Sequence, residues 1–220
     1  VWIYGGGFVS GGTGVPIYDG EAMAKKDIVF VSINYRVGVF GFLAHPELTK
    51  ESPEKASGNY ALLDQIAALN WVKRNIAKFG GDPNNVTIAG QSAGSMSVNA
   101  LVASPVAKGL FSKAIAESGS LMVANPTIKS KTLHEAEEQG VKLASALHAS
   151  NIAGLRKIPA TDLQRSPGDY SPIVDGYVLP EPIARLFAEN KESHVPLLIG
   201  WNADEGFTGK ILNKGDFIKM

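Results

Sequence analysis

Not one of the 220 residues is a cysteine. That absence removes disulfides, thiolate nucleophiles and cysteine-based zinc sites together. It leaves the compartment open, because a bacterial secreted enzyme can also do without disulfides. A charge excess of either sign is missing too, with Lys+Arg and Asp+Glu at 21 each. A neutral balance argues against a nucleic-acid partner, which demands a basic face. No apolar run reaches the length of about 20 residues that spans a bilayer. Internal repeats and low-complexity tracts are absent, and histidine is confined to His45, His134, His148 and His194. What remains is a chain long enough for one domain with a substantial core, burying roughly 70% or more of its unfolded surface.

The two ends look unfinished. Val1 opens the apolar run Val1-Trp2-Ile3-Tyr4 with no leader before it, and Lys219-Met220 closes the chain without a cap or polar tail. The chain is therefore expected to be an internal fragment of a longer protein. Targeting is unreadable on that basis, and localisation and oligomeric state stay open with it.

Five short apolar runs stand out: Val1–Tyr4, Ile28–Tyr35, Val86–Ala89, Ala114–Glu117 and Pro196–Gly200. Continuous rather than alternating hydrophobicity predicts parallel strands buried on both faces. Between two of them, Leu62, Ile66, Leu69, Val72 and Ile76 recur at spacings of three and four. That is one face of a helix over Ala61–Phe79, stopped by Gly80-Gly81-Asp82-Pro83. A second helix is expected over residues 95–103. Strands alternating with helices mean an α/β fold with right-handed crossovers. From about 122 to 188 the rhythm changes. A helix around Lys131–His148 and a shorter one near Asn151–Ile158 precede a passage punctuated by Pro159, Pro167, Pro172, Pro180 and Pro182. This segment is expected to be a helical subdomain inserted into a single partial domain, on the carboxyl side of the sheet where α/β proteins bind ligands.

Gly90-Gln91-Ser92-Ala93-Gly94 follows the run Val86–Ala89 directly. Alone the pentapeptide is weak: a chance G-x-S-x-G somewhere in a chain this rich in glycine has a probability of about 0.2. Context strengthens it, because a serine between a strand and a helix, flanked by small residues, is how a hydrolase presents a nucleophile. The second element is Tyr4-Gly5-Gly6-Gly7-Phe8, again after a strand. A tetrahedral intermediate carries negative charge on the former carbonyl oxygen. Backbone N–H groups reach it only where no side chain stands in the way, which consecutive glycines ensure.

Longer blocks surround these motifs. They include Gly58-Asn59-Tyr60-Ala61-Leu62-Leu63-Asp64-Gln65, Ala68-Leu69-Asn70-Trp71-Val72-Lys73-Arg74-Asn75-Ile76, Phe79-Gly80-Gly81-Asp82-Pro83, Asn34-Tyr35-Arg36, Glu117-Ser118-Gly119 and Pro172-Ile173-Val174-Asp175-Gly176. Together they resemble the type-B carboxylesterases, the cholinesterase-like branch of the α/β-hydrolases. The resemblance is collinear over nearly the whole chain and covers less than half of a full-length member. It implies a mostly parallel sheet with flanking helices and a helical insertion, truncated at both ends. It also implies a serine carboxylic-ester hydrolase acting on a small-molecule ester, with no metal or organic cofactor. Ser92 matches the nucleophile, and Gly6, Gly7 and Ala93 match the oxyanion-hole donors. Gly200-Trp201-Asn202-Ala203-Asp204-Glu205-Gly206 matches a block ending in D-E-G, whose glutamate, Glu205, is the triad acid. On chemistry alone Asp204 is an equal rival. Ser118 matches a hydroxyl that helps hold Glu205. Trp2, Phe8 and Trp201 either line the pocket or pack at strand ends. Two other readings stay open: a non-catalytic binding or adhesion protein on the same scaffold, and a lipase with a mobile lid.

The triad order in this fold is Ser, then acid, then His, yet no histidine follows Glu205. His45, after Gly41-Phe42-Leu43 read as a strand end, is expected in a loop. His134 and His148 are expected on a solvated helix face, and His194 at a helix-to-strand turn. By the same resemblance the family sheet continues on both sides, so Ile28–Tyr35 and Pro196–Gly200 are expected as apolar edges, a hazard for solubility. A serine without a base to take its proton stays a weak nucleophile. The 220-residue chain by itself is therefore expected to be nearly inactive on 4-nitrophenyl acetate, whereas the longer protein is an active esterase. A normal enzymatic rate from the chain alone would overturn that expectation.

Overall fold

Parallel strands cannot be joined by hairpins, so each pair needs a crossover long enough to carry helices. A computed structural model of the chain describes residues 1–122 and 130–205 and has this form. Five strands among the described residues make one parallel sheet: β1 (Trp2–Ile3), β2 (Ser32–Ile33), β3 (Thr87–Gln91), β4 (Lys113–Glu117) and β5 (Leu197–Gly200), in the order β2-β1-β3-β4-β5. The helices are α1 (Glu21–Ala24), α2 (Gly38–Phe42), α3 (Pro46–Glu51), α4 (Tyr60–Asn75), α5 (Ala93–Ala103), α6 (Leu133–Ala146), α7 (Ile152–Leu155), α8 (Ala160–Gln164) and α9 (Ile183–Ala188). None of them is long and apolar enough to cross a membrane. Gly206 of the D-E-G block, the chain end at Lys219-Met220 and residues 123–129 of the expected insertion lie outside the described residues.

The apolar runs found the strands but not their lengths. β1 and β2 pair over two residues each, the pairing starting where Trp2 N–H donates to the Val31 carbonyl (2.7 Å). Burial on both faces is also only partly met. In β3 and β4 every second residue, Ile88 and Gly90, Ala114 and Ala116, is buried, while the alternate positions are half-buried or exposed. The sealed face is the one under α5, which packs across β1, β3 and β4. The two expected edges, β2 and β5, are edges of this five-stranded sheet.

The helix predicted over Ala61–Phe79 is α4 followed by a tight 3-10 turn, Ile76–Phe79, that Gly80 ends in the left-handed region at φ 83. Its face Leu62, Ile66, Leu69 and Val72 is buried. Gly41-Phe42-Leu43 is not a strand end: Gly38 (φ 59) starts α2, and Gly41 lets this helix close onto the Arg36 carbonyl, where a Cβ would collide. The proline-punctuated passage likewise contains α9, since Pro182 sits at its N-cap, outside the turns where proline breaks a helix.

Residues 130–188 carry α6 to α9 up to the helix leading into β5. A capping box of Thr132 and Glu135 starts α6, whose Gly140 touches the Ala44 carbonyl so closely that no side chain fits. Ala144, Ala149, Ile152 and Leu155 form a small core against Leu43 and Leu48. Two polar ties reinforce it: the Ile152 N–H donates to Glu47 Oε2 (3.0 Å), and Arg156 forks onto Glu51 (2.6 and 2.9 Å).

Asn59, buried at the start of α4, does for Ile173 what a strand partner would. Its Nδ2 donates to the Ile173 carbonyl (2.8 Å) and its Oδ1 accepts from the Ile173 N–H (3.0 Å). Removing the amide strands two buried backbone groups, each costing about 1–3 kcal/mol. Asn59→Ala is expected to destabilise the protein by about 3 kcal/mol, read as a lower urea midpoint at unchanged slope; a loss within about 0.5 kcal/mol, the scale of an innocuous surface change, would contradict this.

Candidate active site

Ser92 links the end of β3 to the start of α5 at φ 57, ψ −123, a conformation that a residue with a side chain adopts only when its surroundings hold it there. Both flanks are held. The Ser92 N–H donates to the Glu117 carbonyl (2.9 Å), and the Ser92 carbonyl accepts from Met96 N–H (3.0 Å). Glycine is required on either side. A Cβ on Gly90 would lie 2.5 Å from the Gly94 carbonyl group, and one on Gly94 would collide with the Ile3 carbonyl oxygen. Ser92 itself is half-buried.

The glycine triplet lies beside this turn. A Cβ on Gly5 would stand 2.7 Å from the Gln91 carbonyl oxygen and 3.1 Å from the Ser92 Cβ. Gly6 (φ 123) and Gly7 (φ 62) then bend the loop through conformations suited to glycine, and both are exposed. Ala93 is buried at the first position of α5, where a backbone N–H has no partner within the helix. The base of the triplet is braced by two tyrosines. Tyr4 Oη donates to the Tyr35 carbonyl (3.0 Å), Tyr35 Oη donates to the Tyr4 carbonyl (2.7 Å), and the rings stack 4.4 Å apart. Burial pushes both phenols above their ordinary range, so they stay neutral donors.

Glu205 and Ser118, 87 residues apart, meet at the carboxyl ends of β4 and β5. Ser118 stands at φ 53, its N–H donating to the Gly200 carbonyl (2.9 Å) and its hydroxyl to Glu205 Oε1 (2.6 Å). The Asn202 N–H donates to the same oxygen (2.7 Å). The Ser118 hydroxyl, then the Asn202 amide, hold the Glu205 carboxyl below the usual glutamate range. Asp204 is exposed. A cleft of about 350 Å³ opens beside this acid, with Gln91, Glu117, Ser118, Leu198, Trp201 and Asn202 in its lining.

Of the aromatics, Phe8 is buried edge-on against Phe42 (5.1 Å between centroids), Trp2 leans on Tyr18 (5.7 Å), and Trp201 is exposed at the cleft. The histidines lie elsewhere in the polar scheme. His45 is buried and caps α3, its Nδ1 accepting from Glu47 N–H (3.2 Å), which makes it a helix cap rather than a simple loop residue. His134 and His148 are exposed on and just after α6, and His194 is exposed between α9 and β5. Sequence reasoning passed over Ser95 and Asn99, both fully buried in α5. Their only sequence signal is three polar residues, Ser95, Ser97 and Asn99, at alternate positions of a helix whose other residues are glycine or apolar.

A family model described as "Carboxylesterase family" matches residues 1–216. The chain is 45% identical to the fumonisin B1 esterase of Sphingopyxis macrogoltabida, over 96% of this chain and 40% of that protein. It is 39% identical to the para-nitrobenzyl esterase of Bacillus subtilis, over 94% of this chain and 43% of that one. A solved thermophilic PNB esterase superposes with a TM-score of 0.82 at 38% identity, over 96% of this chain and 45% of that structure. The fold is therefore that of the α/β-hydrolases. The chain spans about 40% of the length of the curated relatives it matches.

A carboxyl whose folded pKa is depressed contributes stability above its ordinary pKa and loses it as pH falls through the folded value. For Glu205 that loss comes in acid, and Ser118 is its largest cause. Ser118→Ala is expected to move the Glu205 titration upward, toward the ordinary glutamate range, in a carbon-13 NMR titration of the side-chain carboxyl. An unmoved midpoint would show that the hydroxyl has no hold on the acid.

Proposed function

The chain belongs to the carboxylesterase family, and from that premise we propose that it carries the nucleophile, acid and oxyanion donors of a serine carboxylic-ester hydrolase. Ser92 Oγ attacks the ester carbonyl carbon while its proton passes to a histidine base. The negative oxygen of the tetrahedral intermediate is met by the N–H groups of Gly6, Gly7 and Ala93. Collapse expels the alcohol, which takes the proton back from the histidine. Water then attacks the acyl-Ser92 ester as the same base removes its proton. The second tetrahedral intermediate collapses by breaking the bond to Ser92 Oγ, which takes that proton back as the carboxylic acid leaves. Glu205 orients the imidazole and stabilises its charged form, with Ser118 and Asn202 keeping Glu205 ionised.

The observation that carries this reading is the strained backbone of Ser92, φ 57 and ψ −123, with Gly5 packed against it. Strain of this kind costs of order 1–3 kcal/mol, persists only where the surrounding structure holds it, and clusters at active sites. The base is proposed to come from outside residues 1–220, since the fold's chain order puts it after Glu205. In the full-length protein a fluorophosphonate is expected to label Ser92, and Ser92→Ala to abolish both labelling and ester hydrolysis. Glu205→Gln is expected to lower kcat by about 10³–10⁴-fold with KM little changed. A Ser92→Ala enzyme with ordinary esterase activity would end the proposal.

A further inference from the structure

Serine and asparagine are poor residues for a helix interior, because their side chains compete for backbone hydrogen bonds. α5 nonetheless buries Ser95 and Asn99 completely, one turn apart. Both reach across to the segment that leaves β4. Ser95 Oγ donates to the Gly119 carbonyl (2.6 Å), and Asn99 Oδ1 accepts from the Leu121 N–H (3.2 Å). Asn99 Nδ2 donates to the Ser95 carbonyl (3.0 Å), which locks the two together. There is no slack at the joint. A Cβ on Gly119 would lie 2.5 Å from the Ser92 carbonyl oxygen and 3.2 Å from Ser95 Cβ. The residue before Gly119 is Ser118, whose hydroxyl holds Glu205.

We propose that Ser95 and Asn99 are positioning residues that set the separation between the nucleophile turn and the triad acid by clasping residues 119–121 to α5. The proposal rests on the hydrolase reading above. Helix α5 begins at the nucleophile, and the clasped segment begins beside the hydroxyl that grips the acid. The clasp therefore joins the two halves of the site without touching substrate. A local conflict between propensity and placement, resolved by complete hydrogen bonding, is where function is expected to override stability. Because a misplacement of about 1 Å costs about 10²-fold in rate, the hydroxyl of Ser95 matters to catalysis beyond its contribution to folding.

The test uses the full-length enzyme and Ser95→Ala. Its kcat is expected to fall about 10–100-fold, with KM within about twofold, the signature of an interaction made in the transition state. The acid limb of kcat/KM is expected to move to lower pH, because an imidazolium with a displaced carboxylate partner is less stabilised and loses its proton earlier. Ser97→Ala is the matched control: Ser97 is equally buried on the same helix, but its hydroxyl accepts from Gln65 Nε2 (3.1 Å). It is expected to cost similar stability and leave the limb in place. Ser95→Cys, close in volume and a weak donor, is expected to fall between wild type and alanine and serves if the alanine variant does not fold. A wild-type kcat and limb in both Ser95 variants, or an equal limb shift in Ser97→Ala, overturns the clasp. Activity surviving Ser92→Ala instead refutes the hydrolase reading itself, and the clasp with it.

Discussion

Three backbones must touch for the Ser92 turn to exist. The end of β1, the end of β3 and the first turn of α5 meet where Gly94 abuts the Ile3 carbonyl and Gly90 abuts Gly94. With any side chain at those two positions the helix would stand off the sheet and the serine would relax into an ordinary conformation. The same contact puts β1's own extension, the glycine triplet, next to the serine. One packing constraint thus explains two motifs that lie more than eighty residues apart in the chain. It also explains why the sheet order places β1 beside β3.

The acid side of the site is organised differently. Apart from Gly119, whose missing side chain lets it lie against the Ser92 carbonyl, it is held by directed hydrogen bonds at a strained residue, Ser118. That residue belongs to both the sheet, through its N–H to Gly200, and the acid, through its hydroxyl. Short, charge-assisted bonds of this type are the stronger class, and they keep the glutamate ionised on a loop that would otherwise have no reason to hold one rotamer. The scaffold is thus rigid by packing around Ser92 and by polar bonding around Glu205.

How much of this was legible in the sequence follows from what each feature depends on. α4 was legible because one helix face repeats its apolar residues regardless of neighbours. The Ser92 turn was legible because glycine and serine at fixed offsets are its direct cause. Lengths of β1 and β2 were not, since Tyr4 and Phe30 are as apolar as a strand demands, yet the two strands pair only at Trp2–Ile3 and Ser32–Ile33. α2 read as a strand end because Val, Phe and Leu favour strands; tertiary packing of Gly41 onto Arg36 overrides that preference. Asp204 and Glu205 were chemically equivalent on paper, and the choice came from family resemblance; in the structure it is Glu205 that meets Ser118. Ser95 and Asn99 were invisible because their partners, Gly119 and Leu121, are backbone groups without a sequence signature.

The paired phenols of Tyr4 and Tyr35 have a further consequence for the rim of the glycine loop. A backbone ladder of two rungs can slide by two residues and re-form, since each rung resembles the next. A reciprocal exchange between two particular side chains and two particular carbonyls has no second solution nearby. The mouth of the loop is therefore indexed by identity instead of by repetition, and the shortness of β1 and β2 costs it no accuracy.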